Sequence, residues 1–176
     1  EVAREMEWLL DRGIDMFHLC DPEFNLPLQH AIDVCDVLIE RELGNRVQWY
    51  AYLAITPFPE DLASRMRCAG CVGINFTSDA AHPRMLATYC QSHRIEDIAK
   101  AVQLGRKYQM AVMLDMLLGG PGETPETVAH TVAAFKRIDP DCAGAALGVR
   151  VYPHTPIAPR IEAEGPLESN PSIRRH

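Results

Sequence analysis

The chain has 176 residues, 47% of them hydrophobic, and a net charge of −7. That is enough for one domain with a real core, and the acidic balance argues against a non-specific nucleic-acid surface, leaving only a local basic patch open. No apolar run reaches the length of a membrane span and no signal-peptide pattern is visible, so the expected setting is cytoplasmic, with a small molecule or peptide as substrate and no membrane partner. Six cysteines are scattered through strand-like and helix-like segments, which predicts reduced, mostly buried thiols rather than a disulfide framework.

In chain order, Val2, Met6, Leu9 and Leu10 fall on one helical face and Gly13 closes that run. A parallel α/β fold seldom opens on a helix with no strand before it, so a segment is expected upstream of Glu1. Ile14 to Cys20 is strand-like and ends in Asp21-Pro22-Glu23-Phe24-Asn25. Leu28, Ile32, Cys35 and Ile39 make a helical stripe that stops near Gly44. Val47 to Ile55 is a second strand, with Trp49, Tyr50 and Tyr52 alternating across it; core packing is expected for at least two of the three. Pro59 opens a short helix carrying Leu62 and Met66. Cys71 to Phe76 is a third strand, ending in Thr77-Ser78-Asp79. Pro83 to Tyr89 reads as an extra turn before a long helix marked by Ile95, Ile98 and Val102.

Met110 to Leu118 is a fourth strand, and Gly119-Gly120-Pro121-Gly122-Glu123-Thr124-Pro125-Glu126 follows it. Thr124 suits an N-cap, Pro125 the first helical position, and Glu126 the positive end of the helix that carries Val128, Val132, Phe135 and Ile138. The glycines let the backbone approach a ligand closely; they equally suit a tight turn, or an anion nest in a flavodoxin-like phosphate binder. Ala143 to Val151 is the last strand, followed by Tyr152-Pro153-His154-Thr155-Pro156, and residues 161–176 read as an irregular extension of a domain covering 1–160.

Strand and helix thus alternate at roughly thirty residues, the size of a βα unit. All five strands end in polar or Gly/Pro-rich segments, which a right-handed parallel arrangement brings to one rim. An open doubly wound sheet concentrates its site at one switch point, so five such ends favour an arc of a barrel.

Several residues invite chemistry. Asp21, Glu23 and Asn25 offer acceptor oxygens to an ammonium group, or simply cap a helix. Asn75 and Ser78 are polar groups at a strand end. Arg150 within an apolar strand is costly unless paired: pointing inward it would bind a carboxylate, pointing outward it would pair with an acid such as Glu162. Cys68 and Cys71 form a lone C-x2-C without the second pair that a zinc site needs. Cys20 reads as a buried thiol, and His154 as a structural or solvated rim histidine.

The five strand ends, in this order, resemble the radical S-adenosylmethionine (SAM) superfamily, in its cobalamin-dependent or methylthiotransferase-like branch. His18 to Asn25 looks like the element after the family's second strand, which receives the amino group of SAM. Ala69 to Ser78 resembles its fourth strand, which reaches the ribose and carboxylate. Met113 to Thr124 looks like the fifth-strand element ending in Gly-Pro-Gly-Glu-Thr, and Val151 to Pro156 resembles the sixth, "P-x-T-P". The resemblance implies an α/β fold: a partial (β/α)6 TIM-like barrel arc of parallel strands two to six. It implies SAM contacts from Asp21, Glu23, Asn25, Asn75, Ser78, Leu118, Gly119, Gly120, Arg150 and Tyr152. It further implies a [4Fe–4S] cluster at which SAM is reductively cleaved to a 5'-deoxyadenosyl radical, and leaves open whether cobalamin and methyl transfer are involved.

This chain departs from the family at Thr77-Ser78, where many relatives have an acid before Ser, and at Met116, where Gly is common. It has no C-x3-C-x2-C cluster motif; the resemblance places that loop just upstream of Glu1, so this chain alone is expected to be inactive. An arc without its first strand exposes a sheet edge and is expected to self-associate. The competing reading is a cluster-free ligand-binding or interaction module without catalysis.

Overall fold

The computed structural model describes residues 1–163 and 165. Five strands form one sheet in the order β1-β2-β3-β4-β5, and every neighbouring pair is parallel. They are β1 (Met16–Leu19), β2 (Gln48–Leu53), β3 (Cys71–Asp79), β4 (Ala111–Leu118) and β5 (Cys142–Leu147). The crossovers are α2 (Leu28–Glu40), α3 (Glu60–Cys68), the pair α4 (Pro83–Thr88) and α5 (Ile95–Lys107), and α6 (Pro125–Ile138); α1 (Val2–Leu10) precedes β1 and α7 (Ala158–Glu162) follows β5. Strand order follows chain order with β1 at an edge, the order of a barrel arc. A flavodoxin-like sheet would place its first strand inside, so that reading is excluded.

One face of the central strands β2, β3 and β4 is buried against the helices and carries the core; β5 is exposed along almost all its length. Trp49, Ala51 and Leu53 of β2, Ile74 and Phe76 of β3, and Val112 and Leu114 of β4 all lie there at 2% exposure or less. Trp49 donates its indole N–H to the Ala69 carbonyl at 2.8 Å and meets Phe24 edge to face at 5.5 Å. A two-residue period sends the neighbours to the other face. Tyr50 and Tyr52 therefore leave the core: Tyr50 is exposed and Tyr52 half-buried, and only Trp49 of the three packs inside. The expectation of two core aromatics is corrected accordingly.

Local signals set the helix boundaries. Thr124 and Thr127 cap α6 reciprocally through backbone N–H to hydroxyl bonds of 3.3 and 3.0 Å, with Pro125 in the first turn. Asp97 accepts from the Arg94 N–H at 2.9 Å at the start of α5. The loop before β5 is tied to the sheet by Asp141, which accepts the Val112 N–H at 2.8 Å.

Two further expectations change. Only Cys35 and Cys71 are buried; Cys20 and Cys90 lie in the turns after β1 and α4, Cys68 ends α3 on its outer face, and Cys142 begins the exposed strand β5. β5 stops at Leu147 instead of continuing to Val151, since Gly148 takes φ 89° and turns the chain away. The expected extension from Ile161 begins within α7, and residues 164 and 166–176 lie outside the described residues. No helix among the described residues is long and apolar enough to cross a membrane.

Asn25 holds the loop after β1 to the end of β2. Its amide donates to the carbonyls of Ala54 at 2.9 Å and Pro57 at 2.7 Å, and its oxygen accepts the Ala54 N–H at 2.8 Å, all in a fully buried position. Asn25→Ala strands the buried N–H and C=O of Ala54, removes the bond to the Pro57 carbonyl, and is expected to lower unfolding free energy by about 2–4 kcal/mol, measured by urea titration. A loss below about 1 kcal/mol would show that the clip is not structural.

Candidate functional site

The parallel strands deliver their C-terminal ends to one rim, and the face opposite the core is open, with Tyr50 and Ala111 exposed on it. Its side chains follow from register. Tyr52 lies beside Asn75, Asn75 beside Met113, and Asp115 beside Gly144. Thr77 follows two residues after Asn75, and its hydroxyl donates to Glu23 at 2.9 Å, joining the loop after β1 to the top of β3.

A cleft of about 440 Å³ opens there, lined by Thr77, Asp79, Met113, Asp115, Leu117 and Gly144 among others, with no lysine or arginine. A Cβ at Gly144 would stand 2.6 Å from Asp115 Oδ1, so the carboxylate occupies the room that the glycine leaves. A second hollow of about 270 Å³ is formed by Asp21, Glu23, Phe24, His30 and their neighbours. The Glu23–Thr77 bond ties the two hollows together.

The electrostatics are those of crowded acids. Burial pushes the Asp79 carboxyl above its ordinary range, and the charges of Glu23 and Asp115 push the same way; the Gln91 amide and His93 oppose them. Gln91 donates to Asp79 Oδ2. His93 is buried, with Nε2 3.3 Å from the Ser78 carbonyl, an arrangement satisfied by a neutral ring carrying its proton on Nε2. Burial lowers its pKa. Asn75 is 7% exposed, and among the described residues its Oδ1 has no partner, a costly state for a buried acceptor.

The residues proposed from sequence separate into groups. Glu23 and Asn75 stand on or beside the cleft, and Asp21 lines the second hollow. Asn25 does not face a ligand; its whole amide is spent on the clip described above. Ser78 also leaves the site: it is fully buried, and its hydroxyl donates to the Asp115 carbonyl at 2.8 Å, where the β3–β4 register shifts. Leu118 pairs with Leu147 and accepts the Gly148 N–H at 2.7 Å. Arg150 is exposed beyond the strand and, among the described residues, makes no ion pair, so the expected partner Glu162 is not engaged. Tyr152 is 58% exposed.

In the glycine turn, Gly119 and Gly122 adopt φ 91° and 77°, and Glu123 accepts the Gly119 N–H. Gly120 serves packing: a Cβ there would collide with the ring of Tyr89, whose hydroxyl donates to the Leu117 carbonyl at 2.9 Å. Burial, reinforced by Glu123, pushes that phenol up to about 12 and keeps it a donor.

Thr77, Asp79 and Asp115 are the polar cleft residues that the sequence reading left out of the site. Asp115 carried a signal, a carboxylate inside the apolar run Met113 to Leu118. Thr77 and Asp79 carried less, because their roles depend on the fold of the Gln91–His93 loop.

The sequence pattern of the Radical SAM superfamily matches residues 1–135. The chain belongs to the radical SAM superfamily. It is 31% identical over 169 residues to a tryptophan 2-C-methyltransferase of Streptomyces laurentii, covering 89% of this chain and 28% of that protein. It superposes on the radical SAM methyltransferase TsrM of Kitasatospora setae, solved with cobalamin and a [4Fe–4S] cluster, with a TM-score of 0.87 and 34% identity over 93% of this chain and 31% of that one. The TsrM structure with tryptophan and a SAM analogue gives 0.86 and 34%, covering 93% and 32%. The chain thus spans less than a third of the length of these relatives.

Two outcomes test the geometry. Gly120→Ala should lower stability by about 1–3 kcal/mol, and a Tyr89→Ala background should remove most of that penalty; additivity of the two changes in a double-mutant cycle would deny the contact. Because Asp79 titrates above its ordinary value of 3.8, its folded-state advantage is complete below that value and is lost as pH rises through the higher folded one. The melting temperature of the wild type relative to Asp79→Asn should therefore fall as pH rises from about 4 to 7; parallel profiles would count against the assignment.

Proposed function

We propose that this chain is the catalytic barrel of a cytoplasmic radical SAM methyltransferase, and that its acidic rim holds SAM. The observation that carries the reading is a cleft whose ionisable lining is purely acidic, beside a buried amide oxygen with no partner. SAM brings an ammonium and a sulfonium, two positive centres, together with ribose hydroxyls that can donate to carboxylates and to an amide oxygen. Glu23, Asp79 and Asp115 suit the cationic groups, and Asn75 and Thr77 the polar ones. Asp21 extends the acceptor set into the neighbouring hollow.

The residues present do not fit the iron–sulfur cluster. No three metal-binding side chains gather among the described residues, and burial raises the thiol pKa of Cys71 and pushes that of Cys35 up to about 12. Cluster ligands would therefore come from a part of the protein outside this chain. Bound SAM supplies a methyl group and, beside a reduced cluster, one-electron cleavage of a C–S bond. The barrel contributes position and charge: the Thr77 hydroxyl fixes Glu23 and the Gln91 amide fixes Asp79.

Similarity to methyltransferases supports methyl transfer, and the TsrM relative solved with cobalamin supports cobalamin use in the whole protein. The six free thiols suit a reducing compartment. The sheet edge at β1 remains the place where self-association of the isolated chain would occur. No observation favours the cluster-free binder.

In the intact protein, Glu23→Gln and Asp115→Asn should each weaken SAM binding by about tenfold or more in titration calorimetry, with iron content unchanged. Wild-type affinity in both variants would defeat the placement of SAM on this rim.

A further inference from the structure

The end of β3 departs from the regular ladder. Between Phe76 and Asp79 it advances three positions while β4 advances two, from Leu114 to Met116. One residue is extra, a bulge of the kind that re-aims a side chain. Directly after it the Ala80 N–H returns to the Ser78 carbonyl at 2.6 Å, closing a tight turn around Asp79, whose φ is 54°. A residue with a β-carbon keeps such a conformation only when its surroundings over-determine it. Three side chains do so here. Ser78 donates to the Asp115 carbonyl at 2.8 Å, and Gln91 donates to Asp79 Oδ2. His93 brings Nε2 to 3.3 Å from the same Ser78 carbonyl that closes the turn. That ring is 5% exposed and comes from the connection between α4 and α5, fifteen residues along the chain from Ser78.

We propose that His93 is a positioning residue: its ring N–H on the Ser78 carbonyl holds the turn that presents Asp79 to the cleft, and the ring must stay neutral for Asp79 to serve a cation there. The inference rests on the reading of the acidic rim as the SAM site. Gln91 occupies Oδ2 of Asp79, and Oδ1 accepts no hydrogen bond among the described residues, so one carboxylate oxygen is left for a ligand. His93 lines neither hollow and acts through Asp79. The charged groups that face its ring are acids: Asp79 from β3, Asp97 from α5 and Glu23 from the loop after β1. Facing Asp79 are His93, Glu23, Asp115 and the Tyr89 phenol. A protonated ring would be a built-in cation among these acids, taking the field that the ammonium or sulfonium of a ligand needs. Burial opposes that protonation and holds the ring below its ordinary value of 6.5, so the acids keep their field at about pH 7. By linkage each cation then costs the other: protonating His93 weakens SAM, and bound SAM makes His93 harder to protonate.

His93→Gln separates the bond from the charge, because an amide donates a similar hydrogen bond and takes up no proton; His93→Leu removes both. SAM is titrated calorimetrically into the intact protein between about pH 5 and pH 8. At the upper end His93→Gln should bind within about threefold of wild type, and His93→Leu about tenfold more weakly. As pH falls, wild-type affinity should drop more steeply than that of His93→Gln, in which only the rim acids titrate. Ring ¹⁵N spectra should show His93 neutral with its proton on Nε2, titrating at lower pH once SAM is bound. Wild-type affinity in His93→Leu, or parallel pH profiles for wild type and a His93→Gln variant folded by circular dichroism, would overturn the proposal. Should His93→Leu not fold, the comparison across pH decides by itself. Asp79→Asn keeps this inference apart from the reading beneath it. Wild-type affinity in that variant would strike the placement of SAM beside Asp79, whereas a loss there with none in His93→Leu would strike only the part given to His93.

Discussion

A parallel sheet whose central strands β2, β3 and β4 bury one face against the helices is the constraint from which the rest of this molecule follows. The covered face must be apolar, and Trp49, Leu53, Ile74, Phe76, Val112 and Leu114 supply it. Burial of such side chains stabilises the fold by about 1.5–3 kcal/mol each, which fixes the register of the sheet, because a one-residue slip would turn every one of them out. Once that register is set, the opposite face has no freedom left. Tyr50, Tyr52, Asn75, Thr77 and Asp115 are placed where they are by their neighbours' need for cover.

The acids at the rim work against the fold. Three carboxylates that share a partly desolvated region repel one another, and the raised pKa of Asp79 records that repulsion together with its burial. The structure tolerates the arrangement by pinning its surroundings. Asn25 ties the loop bearing Glu23 to β2, Ser78 joins β3 to the β4 backbone, and Tyr89 braces the glycine turn. These groups line neither of the two hollows; they hold the ones that do. A polar residue at the end of a strand can thus be either ligand or scaffold, and the difference lies in which face it presents.

That distinction explains what was legible in the sequence. Element order, the parallel arrangement and the common rim followed from periodicity and turn chemistry, and the motifs at the strand ends pointed to the superfamily. Glu23 and Asn75 sit in those motifs and lie on or beside the cleft. Asn25 and Ser78 sit in the same motifs yet turn inward, one satisfied by Ala54 and Pro57, the other by Asp115. Nothing in local sequence separates them from their neighbours, since the partners lie 29 to 37 residues away. Arg150 was misplaced for a different reason: the apolar run continues past Gly148, but that glycine bends the chain away before the arginine is reached.

Asp79 holds its backbone at φ 54°, a left-handed geometry that a side chain bearing a β-carbon adopts at a cost of roughly 1 kcal/mol or more. Glycine would sit there without strain and without adding a third negative charge to the cluster. Thermodynamic robustness and the presence of that carboxylate therefore pull in opposite directions at this position. A heat-resistant variant selected at this residue would gain its degrees of melting temperature by removing negative charge from the cleft.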